Sequence, residues 1–130
     1  MGKNGFKDLV VWQKAKAVAI GIYNISDDGK FAHDFGLRDQ IRRSAVSIPS
    51  NIAEGDERDT DKEAVRFFFI AKGSLAELRT QLQIDYEIGY LGKEGYESLE
   101  SDCQDLGRMI GKLIKVRQEA NGKSQIGDRQ

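Results

Sequence analysis

Leu37-Arg38-Asp39-Gln40-Ile41-Arg42-Arg43-Ser44-Ala45-Val46-Ser47-Ile48-Pro49-Ser50-Asn51-Ile52-Ala53-Glu54-Gly55 is the stretch that decides the fold. Its apolar side chains Leu37, Ile41, Ala45, Ile48 and Ile52 recur every three or four residues, which lines them along one face of an α-helix and along no face of a strand. A helix with a single apolar face requires neighbours that cover it. Pro49 stands inside the pattern, with no backbone N–H to donate and a ring that crowds the carbonyl of Ala45. The apolar register continues on both sides of Pro49 without a glycine-rich break, which predicts one kinked helix rather than two helices and a loop.

Working outward, the same period recurs three more times. Upstream, from about Asp8 to Ile25, Leu9, Trp12, Ala15, Ala19 and Ile22 mark a helical face, and Ser26-Asp27-Asp28-Gly29 then reverses the chain. Downstream, Thr60-Asp61-Lys62-Glu63 fits a capping box, in which the threonine hydroxyl accepts from the Glu63 amide while Glu63 reaches back. From that start Ala64, Phe67, Ala71, Leu75, Leu78 and Leu82 carry a third helix to about Ile88, ahead of the turn Gly89-Tyr90-Leu91-Gly92. A fourth helix, from about Glu94 to Ala120, spaces Leu99, Cys103, Leu106, Ile110 and Leu113 alternately four and three apart. Helices joined by short connections pack as up-and-down neighbours. The expected fold is therefore all-α: an antiparallel up-and-down four-helix bundle over residues 1–120 with a proline-kinked second helix, followed by a disordered polar tail over 121–130.

Composition fits that expectation. A chain of 130 residues, 39% apolar and 32% charged with one proline, has the size and balance of one domain. No stretch approaches the roughly 20 uninterrupted apolar residues of a membrane helix, and Met1-Gly2-Lys3-Asn4-Gly5 lacks the apolar run of a signal peptide, so a cytoplasmic protein is expected. Cys103 is the sole cysteine, which excludes an internal disulfide and thiolate metal clusters and predicts a small core residue. A net charge of -1 exerts no global pull toward nucleic acid or acidic membranes, so any such contact needs a local patch.

Catalytic constellations are not legible. His33 is the only histidine, which rules out HExxH and the paired Glu-x-x-His motifs of di-iron bundles. No serine or cysteine lies in a nucleophile motif, and neither a Walker A loop nor GxGxxG occurs. A non-enzyme without metal or cofactor is expected.

Three surface features remain. Phe67-Phe68-Phe69-Ile70 point around almost the whole circumference of a helix at 100° per residue, and Val10-Val11-Trp12 and Ala17-Val18-Ala19-Ile20 repeat the problem on the first helix. One core cannot receive them all, which predicts a homo-oligomer with Val11, Trp12, Val18, Phe67, Phe68, Phe69 and Ile70 at its interface. Ser74, Glu77, Gln81 and Asp85 form a polar stripe on the third helix, and Ser47, Asn51, Glu54 and Arg58 one on the second. Either these stripes are solvated, or Arg42, Arg43, Asn51, Glu54, Ser74 and Glu77 form a polar network that sets the register between helices or subunits. Finally, Arg108, Lys112 and Lys115 follow i, i+4, i+7, a face suited either to phosphate contacts or simply to solvent near a helix C-terminus.

The segments Phe6-Lys7-Asp8-Leu9-Val10-Val11-Trp12-Gln13, Phe35-Gly36 with the stretch through Gly55 quoted above, Arg66-Phe67-Phe68, Ile70-Ala71-Lys72-Gly73-Ser74-Leu75-Ala76-Glu77-Leu78 and Gly89-Tyr90-Leu91 carry a resemblance. In order and spacing they resemble the bacterial four-helix bundle proteins encoded in intervening sequences of 23S ribosomal RNA genes, over about residues 6 to 115. The resemblance implies a four-helix bundle that assembles as a ring, a homopentamer, with no established enzymatic activity. It also directs attention to RNA or an RNA-processing protein as a partner.

Overall fold

The computed structural model describes the backbone of residues 4–129 and the side chains of residues 4–123. Regular structure among them is entirely helical. A 3-10 turn, Gly5–Asp8, precedes α1 (Val10–Ile25), α2 (Gly29–His33), α3 (Phe35–Asp56), α4 (Asp61–Glu87) and α5 (Lys93–Arg129).

Local chemistry sets the boundaries. Ser26 closes α1 by donating its hydroxyl to the Ile22 carbonyl at 2.7 Å. Gly29 then adopts φ 59°, a left-handed backbone that side chains resist, and the Asp28 carboxylate accepts from its amide. This opens α2, a single turn of helix where the sequence predicted only a loop; its Phe31 is fully buried and supplies the packing that propensity alone could not. Asp34 both ends α2 and caps α3, accepting from the Leu37 amide at 3.2 Å. Thr60 caps α4 as predicted, taking the Glu63 amide at 3.2 Å, although Glu63 makes no reciprocal bond among the described residues. Gly89, at φ 86°, ends α4. α3 carries Pro49 inside a helix assigned as continuous from Phe35 to Asp56. α5 runs on past Ala120, into the segment the sequence assigned to a tail.

α1 packs on α3 and α5, α3 on α4, and α4 on α5. Cross-helix contacts give the pairing order. Ser44 meets Gln81 at 2.5 Å and Ser47 meets Ser74 at 2.8 Å, so position rises along α3 as it falls along α4. Arg79 donates to Glu100 at 2.7 Å and Arg117 pairs with Asp61, which reverses α5 against α4 in the same way. Lys14 reaches Asp102 at 2.9 Å and ties α1 to α5.

The core lies along the axis between these helices. Ala15 and Ile22 of α1, Ile41, Ala45, Ile48 and Ile52 of α3, Ala64, Phe68, Ala71, Leu78 and Leu82 of α4, and Cys103, Leu106 and Ile110 of α5 are all removed from solvent. The predicted α3 face is realised throughout except at Leu37, which is half-buried. On α4 the inward aromatic is Phe68, four residues after Ala64, and not Phe67. On α1 the inward positions include Val11 and Val18, while Leu9 and Trp12 pack at its margin. Three residues assigned from sequence to a subunit interface, Val11, Val18 and Phe68, are therefore corrected to the subunit's own core: the apolar run on each helix is wider than one stripe, and those members of it turn inward.

Candidate interaction surface

The polar residues singled out on the second and third predicted helices do meet, along the outer seam between α3 and α4. Ser47 and Ser74 share a hydrogen bond of 2.8 Å, and the Asn51 amide donates to the Ser47 carbonyl at 2.8 Å and to its hydroxyl at 3.0 Å. Ser44 extends the seam by donating to Gln81. Small hydroxyl side chains let the two helices approach closely while satisfying each other's polar atoms.

Not every predicted member joins. Arg42 turns the other way, toward α1, where its Nε donates to Ser26 at 2.8 Å and its guanidinium lies 4.5 Å from the Tyr23 ring centroid. Glu54 pairs with Arg58 at 2.6 Å on the surface. Glu77 and Arg43 are exposed and make no hydrogen bond or ion pair among the described residues. The network is thus Ser44, Ser47, Asn51, Ser74 and Gln81, with Arg43, Glu54 and Glu77 around it. Arg42 and Arg43 lie 100° apart around α3, and it is Arg42 that faces α1 rather than the seam.

An apolar rim flanks this seam. Ile70, Ile84 and Ile88 of α4 are 49%, 44% and 51% exposed. Together with Glu77 and Gln81 they fall at intervals of seven, four, three and four residues, which keeps them within a narrow strip of the helix surface on the α3 side. Phe69, also exposed, stands beside the strip with Lys72 6.0 Å from its ring centroid. Of the other predicted interface residues, Trp12 is half-buried and packs edge-to-face on Phe6 at 5.2 Å, and Phe67 is half-buried beneath Arg58 at 4.5 Å. Ile84 and Ile88 were absent from the sequence assignment, since isolated isoleucines carry no run of adjacent apolar residues to betray them.

Arg108, Lys112 and Lys115 are all exposed on α5, as their spacing predicts. Arg108 pairs with Asp105 three residues earlier, and it also borders the groove between α4 and α5 with Lys72 and Arg79. Arg79 in turn is held by Glu100, whose hydrogen bond raises its pKa further. Cys103 is fully buried, and burial pushes its thiol up to about 12.

One polar residue occupies an unexpected place. Asp85, expected in a surface stripe, is fully enclosed, and neither carboxyl oxygen has a partner among the described residues. Burial first, and then the nearby Asp34 carboxylate, raise its pKa to about 7. Periodicity alone could not reveal this, because burial at the end of a helix depends on tertiary packing and not on spacing.

Among the described residues no three His, Cys, Asp or Glu side chains are grouped to hold a metal, and no helix is long and apolar enough to cross a membrane. What the chain presents is an all-helical protein whose distinctive surface is a two-helix seam with an apolar rim. It belongs to the 23S rRNA-intervening sequence protein family, whose model matches residues 7–112. Among solved structures it is similar to a protein of unknown function from the S23 ribosomal protein family of Bacteroides thetaiotaomicron, at 26% identity and a TM-score of 0.75, over 82% of this chain and 99% of that one. No curated protein matches the sequence.

Proposed function

We propose that this chain is a non-enzymatic, homo-oligomeric interaction module of the cytoplasm, built as an up-and-down antiparallel four-helix bundle with α3 kinked at Pro49. The observation that carries self-assembly is the strip Ile70, Ile84 and Ile88, apolar and exposed beside a seam of small, mutually satisfied polar residues. Exposed isoleucines repeated along one strip, with Glu77 and Gln81 between them, offer the mixed apolar and polar make-up of a protein contact. A ring, a homopentamer, is the assembly that the family resemblance implies.

Light scattering coupled to size exclusion tests this reading. The wild-type chain is expected to run as a multiple of 14.6 kDa. Ile84→Glu is expected to shift it toward a folded single copy, since a charge on the strip must be desolvated to form the contact. Val10→Glu, at a residue 67% exposed on α1, is the control and is expected to leave the assembly intact. A monodisperse single wild-type copy at high concentration would sink the proposal.

A second reading, RNA contact or recruitment of an RNA-processing protein, is favoured by the exposure of Arg108, Lys112 and Lys115 on one α5 face. Assembly would repeat that face on every subunit and add the contributions. RNA binding that weakens with salt and disappears on charge reversal at these three positions supports it; binding indifferent to both removes it.

A further inference from the structure

Tyr90 joins three pieces of the chain at one end of the molecule. Its amide donates to the Asp85 carbonyl at 2.9 Å, its ring packs on Phe31 of α2 with centroids 5.7 Å apart, and its hydroxyl donates to Asp34 at 2.9 Å. Asp34 uses its other oxygen to cap α3. The α2 turn and the turn after α4 are thereby fastened to each other, and Asp85 is enclosed on the same end with no partner for its carboxyl group.

An enclosed carboxyl without donors is tolerable only while it carries its proton. Its surroundings oppose ionisation. Asp85 stands in the last turn of α4, at the negative end of the helix dipole. Asp34 adds a second carboxylate, and Tyr90, whose own pKa is raised by its bond to Asp34, offers its proton there. Among the cations in the first half of α3, which packs on α4, Arg38 is committed to Asp39 and the Ala32 carbonyl, and Arg42 to Ser26 and Asp27. Lys30 and His33 of α2 line the open groove outside, with His33 held to the Gly29 carbonyl at 3.0 Å. On α5, Lys93 pairs with Glu97, and Glu94 is exposed.

We infer that Asp85 and the Asp34–Tyr90 contact form a proton-controlled latch: protonated Asp85 keeps α2 and the turn after α4 seated, and its ionisation releases them. Release relieves both costs at once, because it admits water to the Asp85 carboxylate and separates it from Asp34. A raised pKa of about 7 places the transition near neutral pH.

Backbone hydrogen exchange across residues 28–38 and 85–92, corrected for the intrinsic pH dependence of exchange, reads the latch directly. From about pH 5.5 to about pH 8.5, opening of these segments is expected to rise roughly tenfold or more relative to the middle of α3 and α4. Asp85→Asn should hold both segments at their low-pH protection. Equal protection at both pH values in the wild type, or an undiminished response in Asp85→Asn, overturns the inference. Should that variant fail to fold, carbon-detected titration of the wild-type Asp85 carboxyl decides the matter. A midpoint near neutrality that coincides with the loosening supports the latch, and titration alongside the surface carboxylates overturns it.

Discussion

Gly55 lies against the Phe68 ring so closely that a Cβ added to it would stand 2.6 Å from Cε1 of that ring and 3.0 Å from the Ala64 carbonyl oxygen. Phe68 is fully enclosed and cannot swing aside, and the second obstacle is backbone. Helix propensity favours alanine over glycine by about 1 kcal/mol, whereas overpacking a rigid site costs about 1–3 kcal/mol. Gly55→Ala is therefore expected to destabilise the protein, by up to about 2 kcal/mol in urea denaturation. Gly73→Ala, where an added Cβ meets nothing within 4 Å, should stabilise it by about 0.5–1 kcal/mol. Equal effects at the two sites would show that the close approach of Gly55 to Phe68 does not constrain the α3–α4 connection.

The cap of α4 rests on one hydroxyl. Thr60→Ala removes the acceptor of the Glu63 amide, with no second half of a capping box to compensate. A loss of about 1 kcal/mol is expected, and Thr60→Ser should recover most of it. Urea midpoints for the two variants supply the check.

Asp85 gives stability an unusual pH dependence. Its carboxyl has the ordinary pKa of 3.8 when unfolded and about 7 when folded, so between those values the folded state binds the extra proton. The stability it permits is complete below the lower value and is lost as pH rises through the upper one. Denaturation midpoints are expected to fall across that window, then to level off. Asp85→Asn should flatten this component and be the more stable protein at pH 8, an outcome opposite to that of removing a surface-paired carboxylate.

Cys103 should be chemically silent. Enclosed in the core, with its thiol held far from the thiolate form, it is expected to react with a disulfide reagent only at the rate of global unfolding. Rapid labelling in native buffer would contradict its placement between Leu99 and Leu106 on the buried side of α5.

The helices were legible because each carries its own signal. Ile41, Ala45, Ile48 and Ile52 repeat along α3, Leu75, Leu78 and Leu82 along α4, and Thr60 announces a helix start. Choices of one residue were harder. Phe67 and Phe68 both continue a period that averages 3.6, and it is Phe68 that turns inward, against Gly55. α2 escaped notice because five residues hold too little pattern, and its stability comes from Phe31 meeting Tyr90 across 59 sequence positions. The Ser47–Ser74 seam was visible as two facing stripes, but the burial of Asp85 depends on which segments roof it, a tertiary fact that no local spacing encodes.

The ion pair between Lys14 and Asp102 joins partners 88 positions apart. During synthesis, the side of the first helix that rests on the last one, where Gly21 receives Leu99, has no cover until most of the polypeptide has left the ribosome. The earliest segment made thus waits longest for one of its neighbours, and an emerging chain halted before Leu99 would display that bare hydrophobic flank to any chaperone within reach.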